Sequence, residues 1–409
     1  MTVRRLVPVV VAAVLFSPQW NAYCATPAAV EPSVGQLTEG NTEFAIALYK
    51  QVARQDGNVA ISPLNISLAI GMLYAGAAGK TATEIAAAAR FKLPEEKLHS
   101  EFAALVDDME ARIGKWGAML SFADGIWLDR HCEPSPRYTA VLSEFYHAAA
   151  ETVDFRGAPE NASSRINDFV SRQTRGKIQS VVDPEMFTAA DRLVLASTVY
   201  FLAPWDDEFS VASTREEPFH LADSGTVSAR MMHRAGAIRY YGDDSVQVVQ
   251  LPYQGIGLSM LVVLPTPNRN LTDLEALLTP EILWGWVNGL AGRGVQLALP
   301  RFEVARHIDL IPLLQSMGMQ RVFDEYSAEL PGLCGERVFV DYAEHDVVLG
   351  VTEKGTEAAA ATVFKATIGV EEEVEPVISF RADRPFMYMI RDMRSGTILF
   401  MGRVMDPTK

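Results

Sequence analysis

The sequence predicts a single α+β domain over residues 38–409. Three observations carry that reading. Segments at helical spacing crowd the first part of the chain, while short apolar, β-branched runs recur through the remainder. Hydrophobic residues make up 49% of the chain, enough to fill a large core. No Gly/Ser-rich or Pro-rich linker, repeat or low-complexity tract divides it, although 409 residues would ordinarily suggest more than one domain.

Residues 1–25 have the architecture of a secretory signal: Arg4 and Arg5, an apolar run Leu6–Phe16, then a polar end. The run is too short to span a bilayer as a helix. Ala22-Tyr23-Cys24 and Tyr23-Cys24-Ala25 are both imperfect cleavage sites. Cys24 also permits a lipoprotein reading, against which Asn21-Ala22-Tyr23 is a weak lipobox. Residues 26–37 read as a flexible lead-in. The mature chain is expected to be extracellular or periplasmic.

Thr38–Ala53 places Phe44, Ala45, Leu48 and Tyr49 on one helical face, and Leu64–Ala75 is a strongly apolar helix. Gly76-Ala77-Ala78-Gly79-Lys80-Thr81 mimics a phosphate loop, but Tyr74 stands where Walker A needs glycine and no strand precedes it. It reads as a helix ending at glycines, with Thr81-Ala82-Thr83-Glu84 starting the next. Leu98–Lys115 is a further amphipathic helix. Leu120–Leu128 and Leu193–Phe201 are strand-like. Val246–Pro252 and Leu258–Pro265 alternate across the turn Tyr253–Gly257, which predicts a hairpin. Val295–Pro300 is another strand, Asp309–Met319 a helix closing at Gly318, and Phe386–Val404 two buried strands joined at Arg394-Ser395-Gly396.

The formal charge of −15 argues against nucleic acid or an anionic membrane as partner. After signal removal only Cys132 and Cys334 remain, so no disulfide scaffold is expected; both read as buried or free thiols rather than a bridge. There is no G-x-S-x-G, no H-E-x-x-H and no Cys/His set at metal spacing. Neither an enzyme nor a metal or cofactor is expected.

The stretch that organises the chain is Val347–Phe386. Val347–Val351 and Val377–Phe380 read as buried strands, and the about 25 residues between them lack apolar periodicity, a length that is usually functional or disordered. Glu357–Ala361 admits two readings. Alanine favours an exposed helical turn. Alternatively, Thr356, Ala358, Ala360 and Thr362 share one small face that can slide between strands already in place, with Glu357 left wet.

Glu353-Lys354-Gly355-Thr356-Glu357-Ala358-Ala359-Ala360-Ala361-Thr362 resembles the proximal hinge of an inhibitory serpin. Phe380-Arg381-Ala382-Asp383-Arg384-Pro385-Phe386 resembles that family's signature beyond its reactive loop. Asn58–Ile85 is similar to its helix B and C region and Ile166–Ile178 to its helix F crossing, with counterparts in order from Thr38 to Pro407. The resemblance implies the serpin fold: β-sheets A, B and C, eight or nine helices and an exposed reactive-centre loop. It implies a suicide inhibitor whose cleaved loop enters sheet A while the protease is still attached. The target is then a serine protease, or a cysteine protease, held in a covalent 1:1 complex by a monomeric inhibitor.

The resemblance also implies site residues. The shutter cluster falls on Ser62, Asn65, Ser197 and His345, with Asn65 standing where serine is usual and Ser197 where asparagine is usual; the swap keeps the same donors and acceptors. Glu353 pairs with Arg301 beside Trp205 at the top of sheet A, a surface ion pair of little energetic weight. Gly355 is the pivot. Family spacing puts the reactive bond at Gly369–Val370, with Ile368–Gly369 the alternative and positions up to Val374 open. Lys365 is the one basic residue between Thr356 and Val377 and lies close to the hinge, so an elastase-like or subtilisin-like target fits better than a trypsin-like one. Glu371-Glu372-Glu373 either steers a basic protease or is a solvated charge run. Some members carry a basic heparin-binding helix where Leu98–Lys115 lies. Here Glu101, Asp107, Asp108 and Glu110 outnumber Arg112 and Lys115, so heparin activation is not expected. The alternative is a non-inhibitory member acting as a binding or carrier protein.

Overall fold

The computed structural model describes residues 32–113, 117–148, 150–188, 191–356 and 377–409. Its helices are α1 (Pro32–Val52), α2 (Pro63–Gly76), α3 (Gly79–Ala88), α4 (Glu95–Ile113), α5 (Pro136–Phe145), α6 (Pro159–Gln173), α7 (Leu271–Leu277), α8 (Pro280–Gly289) and α9 (Leu310–Ser316). Its strands are β1 (Val59–Ile61), β2 (Met119–Asp129), β3 (Ala150–Val153), β4 (Leu193–Pro204), β5 (Arg215–His220), β6 (Thr226–Gly242), β7 (Val246–Pro252) and β8 (Leu258–Pro265). They continue as β9 (Ala291–Pro300), β10 (Phe302–Asp309), β11 (Ala343–Thr352), β12 (Gly355–Thr356), β13 (Ile378–Arg381), β14 (Phe386–Asp392) and β15 (Ile398–Val404).

One six-stranded sheet, ordered β10-β11-β12-β4-β2-β3, is the expected sheet A. The expected sheets B and C are hydrogen-bonded into one path, β1-β15-β14-β8-β7-β6-β9-β13, with β5 added on β6. The 17-residue β6 makes them continuous, pairing first with β5, then with β9, then with β7. The hairpin β7–β8 has the bounds its alternation predicts. α1 begins at Pro32, inside the stretch 26–37 that reads as a flexible lead-in.

α2 is apolar on every side, and such a helix belongs inside. It packs between β4 of sheet A and β15 of the second sheet. Pro63 opens it, where a missing N–H costs nothing. The Gly76–Lys80 stretch is the turn into α3 rather than a phosphate loop: a helix precedes it, and Gly79 turns the chain with φ +57°.

The expectation for the cysteines is corrected. Cys132 and Cys334 are not separate thiols: they form a disulfide with Cα atoms 4.7 Å apart, both buried. They lie 202 residues apart in sequence, so no local spacing marks the pair and only the fold brings them together.

Candidate functional site at the seam of sheet A

β4 and β11 are parallel neighbours, paired directly from Leu195↔Ala343 to Val199↔Val347. Beyond Val347 they part, and β12 lies between them, antiparallel to both. Thr356 sits opposite Val351 on one side and Ala203 on the other; Gly355 sits opposite Thr352 and Pro204. The chain thus leaves β11, reverses at Glu353-Lys354 and re-enters the sheet. Gly355 has φ +153°, and a Cβ there would lie 2.1 Å from the Ala203 carbonyl oxygen, so only glycine fits. Thr356 is fully buried, its Oγ1 2.6 Å from the Tyr253 hydroxyl. Tyr253 stacks on Trp205 with ring centroids 4.5 Å apart, and Trp205 Nε1 donates to Thr352 O at 3.0 Å.

The expected pair of Glu353 with Arg301 exists, at 3.7 Å from Nε to Oε2. It is not a surface pair, because Glu353 is buried at 5% exposure. Its nearer partner is Thr214, whose Oγ1 donates to Glu353 Oε1 at 2.9 Å. Two backbone bonds fasten the same bend, Phe209 N–H to Glu353 O and Trp205 N–H to Lys354 O, both 2.9 Å. Thr214 and Tyr253 escape a sequence reading because nothing local ties them to the hinge.

Below β12, Ser62, Asn65, Ser197 and His345 come together, all buried. The Ser62 backbone N–H donates to His345 Nε2 at 3.0 Å, which leaves Nδ1 to donate to Ser197 O at 3.1 Å. This is the neutral tautomer, and burial pushes the imidazole pKa down to about 4, against the Ser197 carbonyl. Asn65 Nδ2 donates to Ser197 Oγ at 2.7 Å, while the Ser62 hydroxyl donates to Leu399 O on β15 rather than to the histidine. α2 is thereby bound to β11 through Ser62 and to β4 through Asn65. Asp124 of β2, opposite Ser197, is an unforeseen member of the cluster. Burial holds its carboxyl well above the usual carboxylate range, against hydrogen bonds with Ser197 and Asn65. The signal for it was an acid in the middle of the apolar run Leu120–Leu128.

On the far side of the loop, β13 pairs in parallel with β9 and Ala382 N–H bonds Ala298 O at 2.9 Å. Arg381 Nη2 donates to Glu217 Oε2 at 2.5 Å. Burial works to raise the Glu217 carboxyl, but Arg215 and Arg381 hold it down to about 2. Glu357, Ala358, Ala359, Ala360, Ala361, Thr362, Ile368, Gly369 and Val370 lie outside the described residues. Among the described residues no cluster of His, Cys, Asp and Glu suits a metal, and no helix is long and apolar enough to cross a membrane.

The family model described as "Serpin (serine protease inhibitor)" matches residues 39–407. A serpin-like protein of Thermococcus kodakarensis is 35% identical, covering 89% of this chain and 84% of its own. Leukocyte elastase inhibitor of Equus caballus is 35% identical over 91% of this chain and 100% of its own. Among solved structures, human thyroxine-binding globulin complexed with thyroxine superposes with a TM-score of 0.82 at 27% identity, over 92% of this chain and 100% of that one. With a family model spanning nearly the whole domain and the sheet A seam in place, the chain belongs to the serpin family.

Proposed function

We propose that this serpin is an inhibitor of serine-type endopeptidases acting as a suicide substrate, and one observation carries the reading. Gly355 and Thr356 already occupy the first two positions of a strand between β11 and β4. Each further residue steps one position back along both neighbours, so Ala360 falls between Val347 and Val199, which are themselves paired. The register of the entering strand is therefore consistent with the ladder it replaces. Thr356 points into the core, so Ala358, Ala360 and Thr362 follow on that face, and Thr362 arrives between His345 and Ser197. Phe364, the first bulky side chain of the series, meets Ala343 and Leu195.

In this mechanism the protease serine attacks the carbonyl carbon at the reactive bond, Gly369–Val370 or Ile368–Gly369. An ester to the protease forms, the amide bond breaks, and a new amino terminus leaves with the C-terminal fragment. The freed segment adds strand hydrogen bonds and buries apolar surface as it enters, and the acyl-enzyme is carried with it. The uncleaved fold is trapped, its lifetime set by rates. The small aliphatic residues near the reactive bond favour an elastase-like or subtilisin-like target. The Cys132–Cys334 bridge supports an oxidising compartment, in keeping with export. On α4, Arg112 is engaged by Asp108 and Asp392, which supports activity without a polyanion.

The test is a gel of the protein with elastase-like, subtilisin-like, trypsin-like and Glu-specific proteases, with the mass of the released C-terminal fragment. A 1:1 adduct stable in SDS is expected, and the fragment mass assigns the bond. Loop cleavage with neither adduct nor a rise in Tm would favour a binding or carrier protein instead.

A further inference from the structure

The seam that β12 has begun to part at one end has a covalent bond beside its other end. Asp129 ends β2, and its N–H bonds Arg192 O just before β4 at 2.9 Å. Cys132 N–H returns to Asp129 O at 2.8 Å, so Cys132 is fixed to the β2–β4 side. Cys334 closes a turn held to the end of α2: Gly332 N–H bonds Gly76 O at 3.0 Å and Ala78 N–H bonds Glu329 O at 2.9 Å. The two backbones touch there, since a Cβ on Gly332 would lie 2.6 Å from Gly76 Cα. The other end of α2 is bound to β11 through Ser62 and His345. α2 is also bound to β4 through Asn65 and Ser197, so what the disulfide joins is the end of β2 to the segment 335–342 that leads directly into β11. It does so beside the stretch from Ala343↔Leu195 to Val347↔Val199, where β11 and β4 are still paired. The hydrogen bond from Ser135 N–H to Gly332 O, at 2.9 Å, runs alongside it.

We propose that the Cys132–Cys334 disulfide is a restraint on the opening of sheet A that sets the rate of strand entry. Entry of one strand moves its neighbours apart by about 4.8 Å. Disulfide Cα atoms reach at most about 6.8 Å, and these stand at 4.7 Å. The bond yields less than half of the required shift; bending of residues 130–135 and 335–342 must supply the remainder. The first residues enter freely and the last ones enter against the tether.

This rests on the loop-insertion reading, and the experiment separates the two. The full-length wild type, the Cys132→Ala/Cys334→Ala double variant and wild type refolded and kept in dithiothreitol are nicked in the loop with subtilisin. Entry is followed by stopped-flow tryptophan emission, with Trp205 bonded to Thr352 beside β12 as the nearest reporter, and by final Tm. Both forms lacking the cross-link are expected to complete entry faster, by about threefold or more. The reduced wild type keeps every side chain in place, so it decides the matter should the double variant fold poorly. Ile85→Val, which trims the same core without touching the bond, serves as control. Equal entry rates with and without the bond overturn the restraint, as does equal acceleration by Ile85→Val. If no nicked form gains Tm, insertion itself is absent and the restraint falls with the functional reading.

Discussion

Tyr253 and Thr356, 103 residues apart in sequence, meet hydroxyl to hydroxyl at 2.6 Å inside sheet A. Burial pushes the Tyr253 phenol far above its ordinary pKa, so it stays protonated and able to donate. Tyr253→Phe leaves the Thr356 hydroxyl buried without this partner, which costs about 1–3 kcal/mol. Denaturant unfolding of the uncleaved protein measures that loss. Unchanged stability would mean Thr356 is not seated where it is described.

Gly355→Ala should expel β12. The new methyl group meets the Ala203 carbonyl, a backbone atom that cannot swing aside, at a φ that L-residues avoid. A loss of about 1–3 kcal/mol and faster proteolysis near Lys354 are expected. Wild-type resistance at this bend would contradict the close approach.

Thr356→Arg should turn an inhibitor into a substrate. An arginine at a fully buried position opens the seam only at the cost of its hydration. The loop should be cut at the wild-type rate while the SDS-stable adduct disappears. Undiminished inhibition would sink the hinge assignment.

His345 makes stability pH-dependent in a definite sense. Its native pKa of about 4 lies below the ordinary 6.5, so between those values the unfolded chain binds the extra proton and stability falls as pH falls. Fully developed, the effect is roughly 3 kcal/mol. His99, also held at about 4 by burial, acts in the same direction, whereas Asp341 and Glu344, raised by burial to about 7, act oppositely. The clean readout is therefore a difference. The stability gap between wild type and His345→Asn should narrow from pH 6.5 to 4, and a constant gap would show that His345 does not titrate as described.

Much of this was legible in the sequence where one physical demand fixes the residue type. A bend that re-enters the sheet beside the Ala203 carbonyl has room only for glycine, and Gly355, followed by Thr356 between β11 and β4, meets that demand. β7 and β8 were legible because alternation and a glycine turn coincide. β6 was not, because Arg230 and Arg239 stand at its exposed positions, Arg234 and His233 are half-buried within it, and no apolar run announces it. The shutter residues could be named, but not their pairings: Ser62 uses its backbone rather than its hydroxyl toward His345. Thr214 and Tyr253 became visible only once the chain had folded, as did the Cys132–Cys334 bridge, whereas Asp124 announced itself as an acid inside an apolar run.

The bend at Glu353-Lys354, fastened by Phe209, Trp205 and Thr214, gives the reactive loop a fixed origin. From a fixed origin the tether becomes a ruler, graduated at about 3.3 Å per residue of extended chain. On the proposed mechanism, moving the reactive bond from Gly369–Val370 to Ile368–Gly369 shortens the tow by one graduation and halts the captured enzyme that much earlier along the sheet. Where the cargo comes to rest is thus written in the count of residues beyond Thr356, not in any contact with the enzyme itself.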